Sequence, residues 1–423
     1  MSDVPLRPRR TATPPVIARH GRLRRPRAVR TLLLGTAMTL AVLLVSGFSV
    51  ITIAAWDLNR SVQANTVDIS DGTEQTTVGV GALDGGFNVL LAGSDTRQGQ
   101  GDGYGKTDGA LNDVNMVLHV SADHSQATVV SLPRDMVVPI PACERADGSG
   151  TAPAMSAAPL NTALSDGGLP CVAKTVAQFT GLDIPYAALI EFDGVIEMSN
   201  AVGGVPVCLA SPLKDKRTDL DLPAGENTLQ GKTALQFLRT RHAVGDGSDL
   251  ARISNQQVFL SALVRTMKQS STLSDPTRVY GLAKAAVDNM QRSTSLDYQT
   301  MASMALALKD IPLEQVRFLQ YPGTTAGTGV YAGRVQPLKA DGDQLMQLLR
   351  TDAPFEVKAG STGLGAVAEQ PGASTPTPSA SAPAVGAPAA GGGSQPAPSA
   401  PTVLPEAITG TDAGTVTCSK AFR

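Results

Sequence analysis

The segment FNVLLAGSDTR, Phe87 to Arg97, decides how the rest of the chain is read. Phe87 and Val89 to Ala92 are apolar, and a run this short bounded by a turn predicts a buried strand. Gly93 and Ser94 turn the chain, and an acid, Asp95, and a base, Arg97, follow at once. Two further β-rich runs, NMVLHV and QATVVSLP, flank the polar cluster SADHS and predict a hairpin. CVAKTVAQFTGL instead spaces Val172, Val176 and Phe179 at helical intervals and stops at Gly181. YAALIEF reads as a strand, DGVIEMSNAVGG as a helix closed by Gly203 and Gly204, and KTALQFL as a short helix. GSDLARISNQQVFLSALVRTMKQ reads as a long helix with Ser248 as N-cap and Leu260, Val264 and Met267 on an apolar stripe. The alternation continues through RVYGLAKAAVDNM, YQTMASMALALKD, the strand-like VRFLQYP and DGDQLMQLLR. Helices alternating with strands predict an α/β domain over 84–352, a central sheet flanked by helices, and the hairpin makes that sheet mixed.

Outside this domain the composition changes sharply. Residues 1–30 hold nine arginines and one acid, Asp3, so the remainder of a chain of net charge -2 is acidic. That balance argues against a nucleic-acid partner. Thr31 to Ala55 form an uncharged run of 25 residues, flanked by Arg27 and Arg30 on one side and Trp56 on the other. About 20 apolar residues cross a bilayer as a helix, and a cleaved signal core is shorter. The basic flank predicts a cytoplasmic N-terminus at the cell membrane, with everything beyond Trp56 outside the cell. Residues 56–83 then read as a polar stalk, and 353–423 as a Pro/Ala/Ser-rich, disordered tail with a terminal cysteine segment. The four cysteines contain no CxxC pair, and an even count in an exported domain favours disulfides. Three pairings are open. Cys143 with Cys171 would close a Gly/Ala/Ser-rich loop and leave Cys208 to pin Cys418.

Charged residues gather where predicted strands and helices end. Asp95 and Arg97, Asp113 in LNDVNMVLHV, Arg134 and Asp135 in SLPRDM, and Arg239, Arg241, Asp249, Arg252 and Gln256 form four such groups. Arg239 and Arg241, if extended, project to one side, and Ser248, Arg252 and Gln256 share a helix face. A cation in the first turn of a helix opposes the macrodipole, and a bound anion would remove that conflict. Several guanidiniums and a helix start therefore point to one anion such as a pyrophosphate. Asp95 and Asp113, read as free of those arginines, point to a divalent cation held by carboxylates and phosphate oxygens. An EF-hand in GDGYGKTDGALND fails on spacing, and the GxxxxGK[ST] loop is missing from the sequence. His119 and His124 read as structural or surface residues.

The ordered series LLAGSDTR, NDVNMVLHV, VVSLPRD, EFDGVIEMSNAVGGV, LPAGENTLQGKTALQFLRTRH and GDGSDLARISNQQ resembles the LytR-CpsA-Psr family of actinobacterial type. The resemblance implies a membrane-anchored cell-wall phosphotransferase. It would move a glycopolymer from a polyprenyl-pyrophosphate lipid to a peptidoglycan hydroxyl, the lipid tail lying in an apolar channel. It implies magnesium, or manganese, on Asp95 and Asp113. It implies a pyrophosphate bound by Arg97, Arg134, Arg239, Arg241 and Arg252, with Gln256 beside it. Asp95, Arg97, Asp113, Arg134 and Arg241 are then the catalytic set. Many members have an arginine two residues before the second aspartate, where this chain has Leu111. Two other readings use the same residues: a non-catalytic, membrane-tethered glycan-binding protein, and a pyrophosphatase with water as acceptor.

Overall fold

The structure, a computed structural model, describes residues 28–64, 66–70, 83–94, 111–268, 282, 284–358, 360–369 and 401–422. The chain divides into two compact units, residues 1–57 and 58–423. Helix α1 runs over Ala28–Ala64. Its Leu32–Ser49 stretch has a mean hydropathy of 2.0 and buries no residue, so it is long and apolar enough to cross a membrane.

The second unit is built on a mixed sheet. Its strands are β1 (Thr66–Val67), β2 (Phe87–Ser94), β3 (Asn112–Val120), β4 (Ala127–Ser131) and β5 (Tyr186–Ile190). Strands β6 (Val205–Leu209) and β7 (Gly225–Leu229) belong to a smaller sheet; β8 (Met290–Ser293) and β9 (Val316–Gln320) return to the large one. The C-terminal region adds β10 (Ala366–Ala368), β11 (Gly410–Asp412) and β12 (Thr417–Ser419). The large sheet has the order β1-β8-β5-β2-β3-β4-β9-β11, and the small one β7-β6-β12-β10. Strands β2, β3 and β4 form an antiparallel meander, while β5 pairs with β2 and β9 with β4 in parallel. The helices are α2 (Ala163–Thr180), α3 (Phe192–Val202), α4 (Lys232–Arg239), α5 (Asp249–Lys268), α6 (Tyr298–Lys309) and α7 (Lys339–Arg350).

The alternation of side chains along the strands separates two cores. Leu90, Ala92, Val117 and Val130 face α2, through Val172 and Val176, and α7, through Leu345 and Leu349. Val89, Val129, Ala188 and Phe318 face Met304 and Ala307 of α6, with Leu260 and Val264 of α5 at the margin. Leu90 is fully buried at the centre of the first core. Truncating it to Ala would cost about 2–5 kcal/mol in lost transfer energy and cavity. The other side of α5 packs on the small sheet, where Val258 and Phe259 meet Val205, Val207 and Phe237. Held between two sheets, α5 buries polar residues as well: Arg252, Asn255, Gln256 and Gln257 are all inside. Helix α2 begins in earnest after a kink at Gly167 and Gly168 and ends on Gly181 at φ 67°, the left-handed cap its sequence calls for.

Two boundaries differ from the sequence reading. The expected stalk does not begin at residue 56: α1 continues to Ala64, and Thr66–Val67 then pair with Arg292–Ser293 as an edge of the large sheet. A two-residue strand is too short to show any periodicity. The expected tail does not begin at 353 either. Phe355–Glu356, β10, β11 and β12 belong to the fold; β11 extends the large sheet against β9, and β12 inserts between β6 and β10. Their apolar residues are too few and too scattered among Gly, Ser and Thr to stand out by composition. Residues 370–400, the Pro/Ala/Ser-rich part of that tail, lie outside the described residues.

Candidate functional site

Strand β3 enters the site through a bulge. Gly93 pairs with Val114 and Ser94 with Asn112, so Asp113 is the extra residue without a partner across the ladder. A bulge re-aims a side chain in this way. A Cβ at Gly93 would sit 3.0 Å from Val114 Cβ, so any side chain there would press on Val114. Beside Asp113, Asn112 and Asn115 are buried and their side chains bond to each other. Strand β4 ends at Ser131, and Leu132 N–H donates to Asn115 O at 2.8 Å, which brings Arg134 over the start of β3.

The first turn of α5 supplies the third wall. Ser248 Oγ accepts from Ala251 N–H at 3.2 Å and caps the helix. Asp249 follows, with its side chain only 3% exposed. Its Oδ2 accepts the Arg134 backbone N–H at 3.1 Å, and its Oδ1 lies 2.7 Å from Arg252 Nη2. The acid thus relieves the conflict between the Arg252 cation and the helix dipole. Arg252 Nη2 also donates to Asp113 O at 2.7 Å, and its Nη1 lies 4.0 Å from Asp113 Oδ2. Arg134 Nη1 is ion-paired with Asp113 Oδ1. Burial works against the charge of Arg134, but Asp113, Asp249 and Asp135 outweigh it and hold the guanidinium above its usual range. Asp135 Oδ2 lies 3.8 Å from Arg134 Nε and 4.0 Å from Arg241 Nη1, and its Oδ1 lies 3.3 Å from Arg334 Nη1.

Asp113, Asn115, Arg134, Asp249, Arg252 and Gln256 line a narrow cleft whose walls stand too close to admit a water molecule. Three buried donors there, Arg134 Nε, Arg252 Nε and Asn115 Nδ2, have no hydrogen-bond partner. Unmet donors beside cations are what an anion's oxygens satisfy. Gln256 Nε2 donates to Leu238 O at 3.1 Å, tying α5 to α4.

The remaining site residues fall as follows. Arg241 faces Asp135, and its Nε donates to Gly247 O at 3.3 Å. Arg239 ends α4 and stacks over the Phe192 ring at 4.4 Å, just past the strand β5 that pairs with Gly93. The two arginines are therefore not a short extended pair facing one way, because Arg239 closes a helical turn. Asp95 and Arg97 lie outside the described residues. The expectation that Asp113 stands clear of the arginines is overturned. Four arginines, Arg134, Arg241, Arg252 and Arg334, and three aspartates form one network, and opposite charges in low dielectric pair with each other. Asp113 remains a hard-oxygen donor of the kind magnesium takes.

Three features escaped the sequence reading. The bulge at Asp113 has no sequence signal. Asp249 is recognisable as an N-terminal acid, but not as the anchor of both Arg134 and Arg252. Arg334, in the loop AGRVQP, reaches Asp135 from 199 residues away in sequence, and nothing local marks it.

Disulfides join Cys143 to Cys171 and Cys208 to Cys418. The second holds β12 against β6 and brings the last residues over the loop after Arg241. Gly245 N–H donates to Lys420 O at 2.9 Å, and Phe422 N–H to Ala243 O at 2.7 Å.

At the start of β3 and the end of β4 the mixed sheet gathers arginines, aspartates and unmet donors around one cleft, a donor set of the kind an anion's oxygens satisfy. The chain belongs to the LytR-CpsA-Psr family, whose sequence profile matches residues 52–351. A probable cell wall biosynthesis protein of Corynebacterium glutamicum, LcpB, is 33% identical over 70% of this chain and 67% of its own length. LcpA of the same organism is 30% identical over 70% of this chain and 61% of its own length. TagU of Enterococcus faecalis, named a polyisoprenyl-teichoic acid–peptidoglycan teichoic acid transferase, is 28% identical over 64% of this chain and 82% of its own length. Among solved structures, Bacillus subtilis TagV superposes with a TM-score of 0.50 at 20% identity, covering 63% of this chain and 97% of TagV. Protein gbs0355 of Streptococcus agalactiae gives 0.52 at 22% identity, covering 63% of this chain and 88% of that one. These two likenesses concern the fold.

Proposed function

We propose that this chain transfers a glycopolymer from a polyprenyl-pyrophosphate carrier to a hydroxyl of peptidoglycan and leaves a phosphodiester in the cell wall. The observation that carries the reading is the set of unmet N–H donors on Arg134 and Arg252, beside Asp113 at the mouth of β3. Its family membership and the printed name of TagU support it. Arg134, Arg241 and Arg252 hold the pyrophosphate, and their fixed N–H groups neutralise charge on the oxygens during transfer. The acceptor hydroxyl attacks the sugar-proximal phosphorus. One P–O bond forms there, and the bond to polyprenyl phosphate breaks. A carboxylate of the cluster, Asp113 or Asp135, takes the hydroxyl proton. Asp95 and Asp113 would hold a magnesium ion, which would supply further charge neutralisation. Helix α1 anchors the chain in the cell membrane with its basic end in the cytoplasm and the second unit outside, where no nucleotide energy source is needed.

The test is a reconstituted assay with full-length protein, a lipid-linked glycan and soluble peptidoglycan strands. Polyprenyl phosphate release that depends on both magnesium and the acceptor is expected. Release without any acceptor would instead make the protein a pyrophosphatase, and tight binding without release would make it a carrier.

A further inference from the structure

A second concavity is lined by His242, the residue after Arg241. It is an open pocket of about 450 Å³, and Lys214, Lys216, Arg217, His242 and Phe422 surround it. Arg217 Nη1 donates to His242 Nε2 at 2.7 Å. The imidazole accepts that bond and is therefore neutral, with its proton on Nδ1. Desolvation first, then the guanidiniums of Arg217 and Arg241, push His242 below its usual range, with Asp215 acting weakly the other way. Asp215 is turned inward: its Oδ1 accepts from Arg217 N–H at 2.9 Å and its Oδ2 from the buried Thr240 Oγ1–H at 2.7 Å. Lys214 shares its charge with Asp221 at 2.9 Å, both exposed. The mouth therefore keeps a cationic excess. The opposite wall is apolar: Phe422 is 55% exposed and held there by its backbone bond to Ala243.

We propose that this pocket is a second subsite, which takes an acidic group, a phosphate or carboxylate, borne by a glycan strand engaged at the arginine cluster. The inference rests on the transfer reading above. Exposed lysine and guanidinium groups suit a solvated anion on a flexible polymer, where steering matters more than a tight fit. The exposed face of an aromatic ring suits the C–H face of a sugar next to it. Arg241 and His242 are neighbours in sequence, so one loop serves both the arginine cluster and this pocket. The wall at Phe422 also depends on the C-terminal segment pinned by Cys208–Cys418, which gives these residues a use at the site. Two polymers could supply the acid: a phosphate-bearing donor glycan, or the acceptor with its carboxylated stem peptides.

Full-length protein in detergent micelles is titrated with three probes. They are a soluble peptidoglycan strand with stem peptides, a neutral chitin oligosaccharide of the same length, and a poly(glycerol phosphate) oligomer. Wild type is expected to bind at least one acidic probe with an affinity that falls steeply with salt, and the neutral oligosaccharide at least tenfold more weakly. Lys216→Glu with Arg217→Glu should cost tenfold or more for that acidic probe. Phe422→Ala, which removes a ring that is 55% exposed and outside the core, should cost several-fold. Loss for the stem-bearing strand assigns the pocket to the acceptor, and loss for the phosphate oligomer assigns it to the donor. Unchanged affinity for both acidic probes in the charge-reversed protein, or no binding of either by wild type, overturns the proposal. Inorganic pyrophosphate is titrated separately. If Arg252→Ala binds it as wild type does, the transfer reading fails on a different probe.

Discussion

Asp249 is the residue on which the geometry of the site turns, and its removal has a calculable effect. The carboxylate is almost wholly buried, accepts the Arg134 backbone N–H and faces Arg252 Nη2 at 2.7 Å. Asp249→Ala takes away both partners at once. Breaking a buried ion pair by deleting one member costs about 3–5 kcal/mol, because the other charge stays inside. The orphaned Arg134 amide adds about 1–3 kcal/mol if water cannot reach it. Contacts this close are not additive, so a total of ~4–6 kcal/mol is the working figure. Unfolding entropy scales with length, and for roughly 300 ordered residues that corresponds to a fall in melting temperature of about 6–10 °C. Asp249→Asn keeps the shape and the acceptor for the Arg134 amide, and should lose about half as much. Inorganic pyrophosphate should bind more weakly to Asp249→Ala even below its melting temperature, because Arg252 is no longer held in the first turn of α5. Scanning calorimetry with and without pyrophosphate makes both measurements. A melting curve within 2 °C of wild type, about 1 kcal/mol on this scale, would show that Asp249 is not the anchor.

Other consequences follow from the same geometry. Arg241→Ala, at a half-exposed position, should lower turnover by about 10²–10³ while leaving the denaturant midpoint nearly unchanged; wild-type turnover would remove Arg241 from the catalytic set. Arg217→Ala should raise the pKa of His242, because it deletes a neighbouring cation that holds the imidazole below its usual range. Imidazole C–H shifts in a pH titration report this, and an unmoved or lowered midpoint contradicts the contact. Replacing Cys208 and Cys418 by Ser should cost about 2–5 kcal/mol. It should also speed hydrogen exchange at Gly245 and Phe422, so equal exchange in both proteins would mean the C-terminal segment does not depend on the disulfide.

Much of the fold was legible because its signals are local. Val172, Val176 and Phe179 at helical spacing, with Gly181 behind them, define the end of α2 without reference to anything else. The apolar runs of β3 and β4 with the polar SADHS between them specify a hairpin in the same way, whereas the pairing of β2 with β3 came from the structure. The candidate site was half legible. Arginines and aspartates at predicted strand ends drew attention to Asp113, Arg134, Arg241 and Arg252. Apart from the local pairs Asp249–Arg252 and Arg134–Asp135, which acid pairs with which base could not be read there, since the other pairs join elements more than a hundred residues apart or depend on one bulge.

By itself the sequence determined most of the elements, the apolar helix of the first unit and the gathering of arginines and aspartates at strand ends. The tertiary structure alone decided that Asp113 projects from a bulge and pairs with Arg134, that Asp249 anchors two arginines, and that Arg239 turns to Phe192. It also decided that residues 401–422, read as tail, complete both sheets and wall a pocket beside Arg241. The reason is physical. Secondary structure follows from neighbours along the chain, whereas charge pairing, bulges and edge strands follow from neighbours in space.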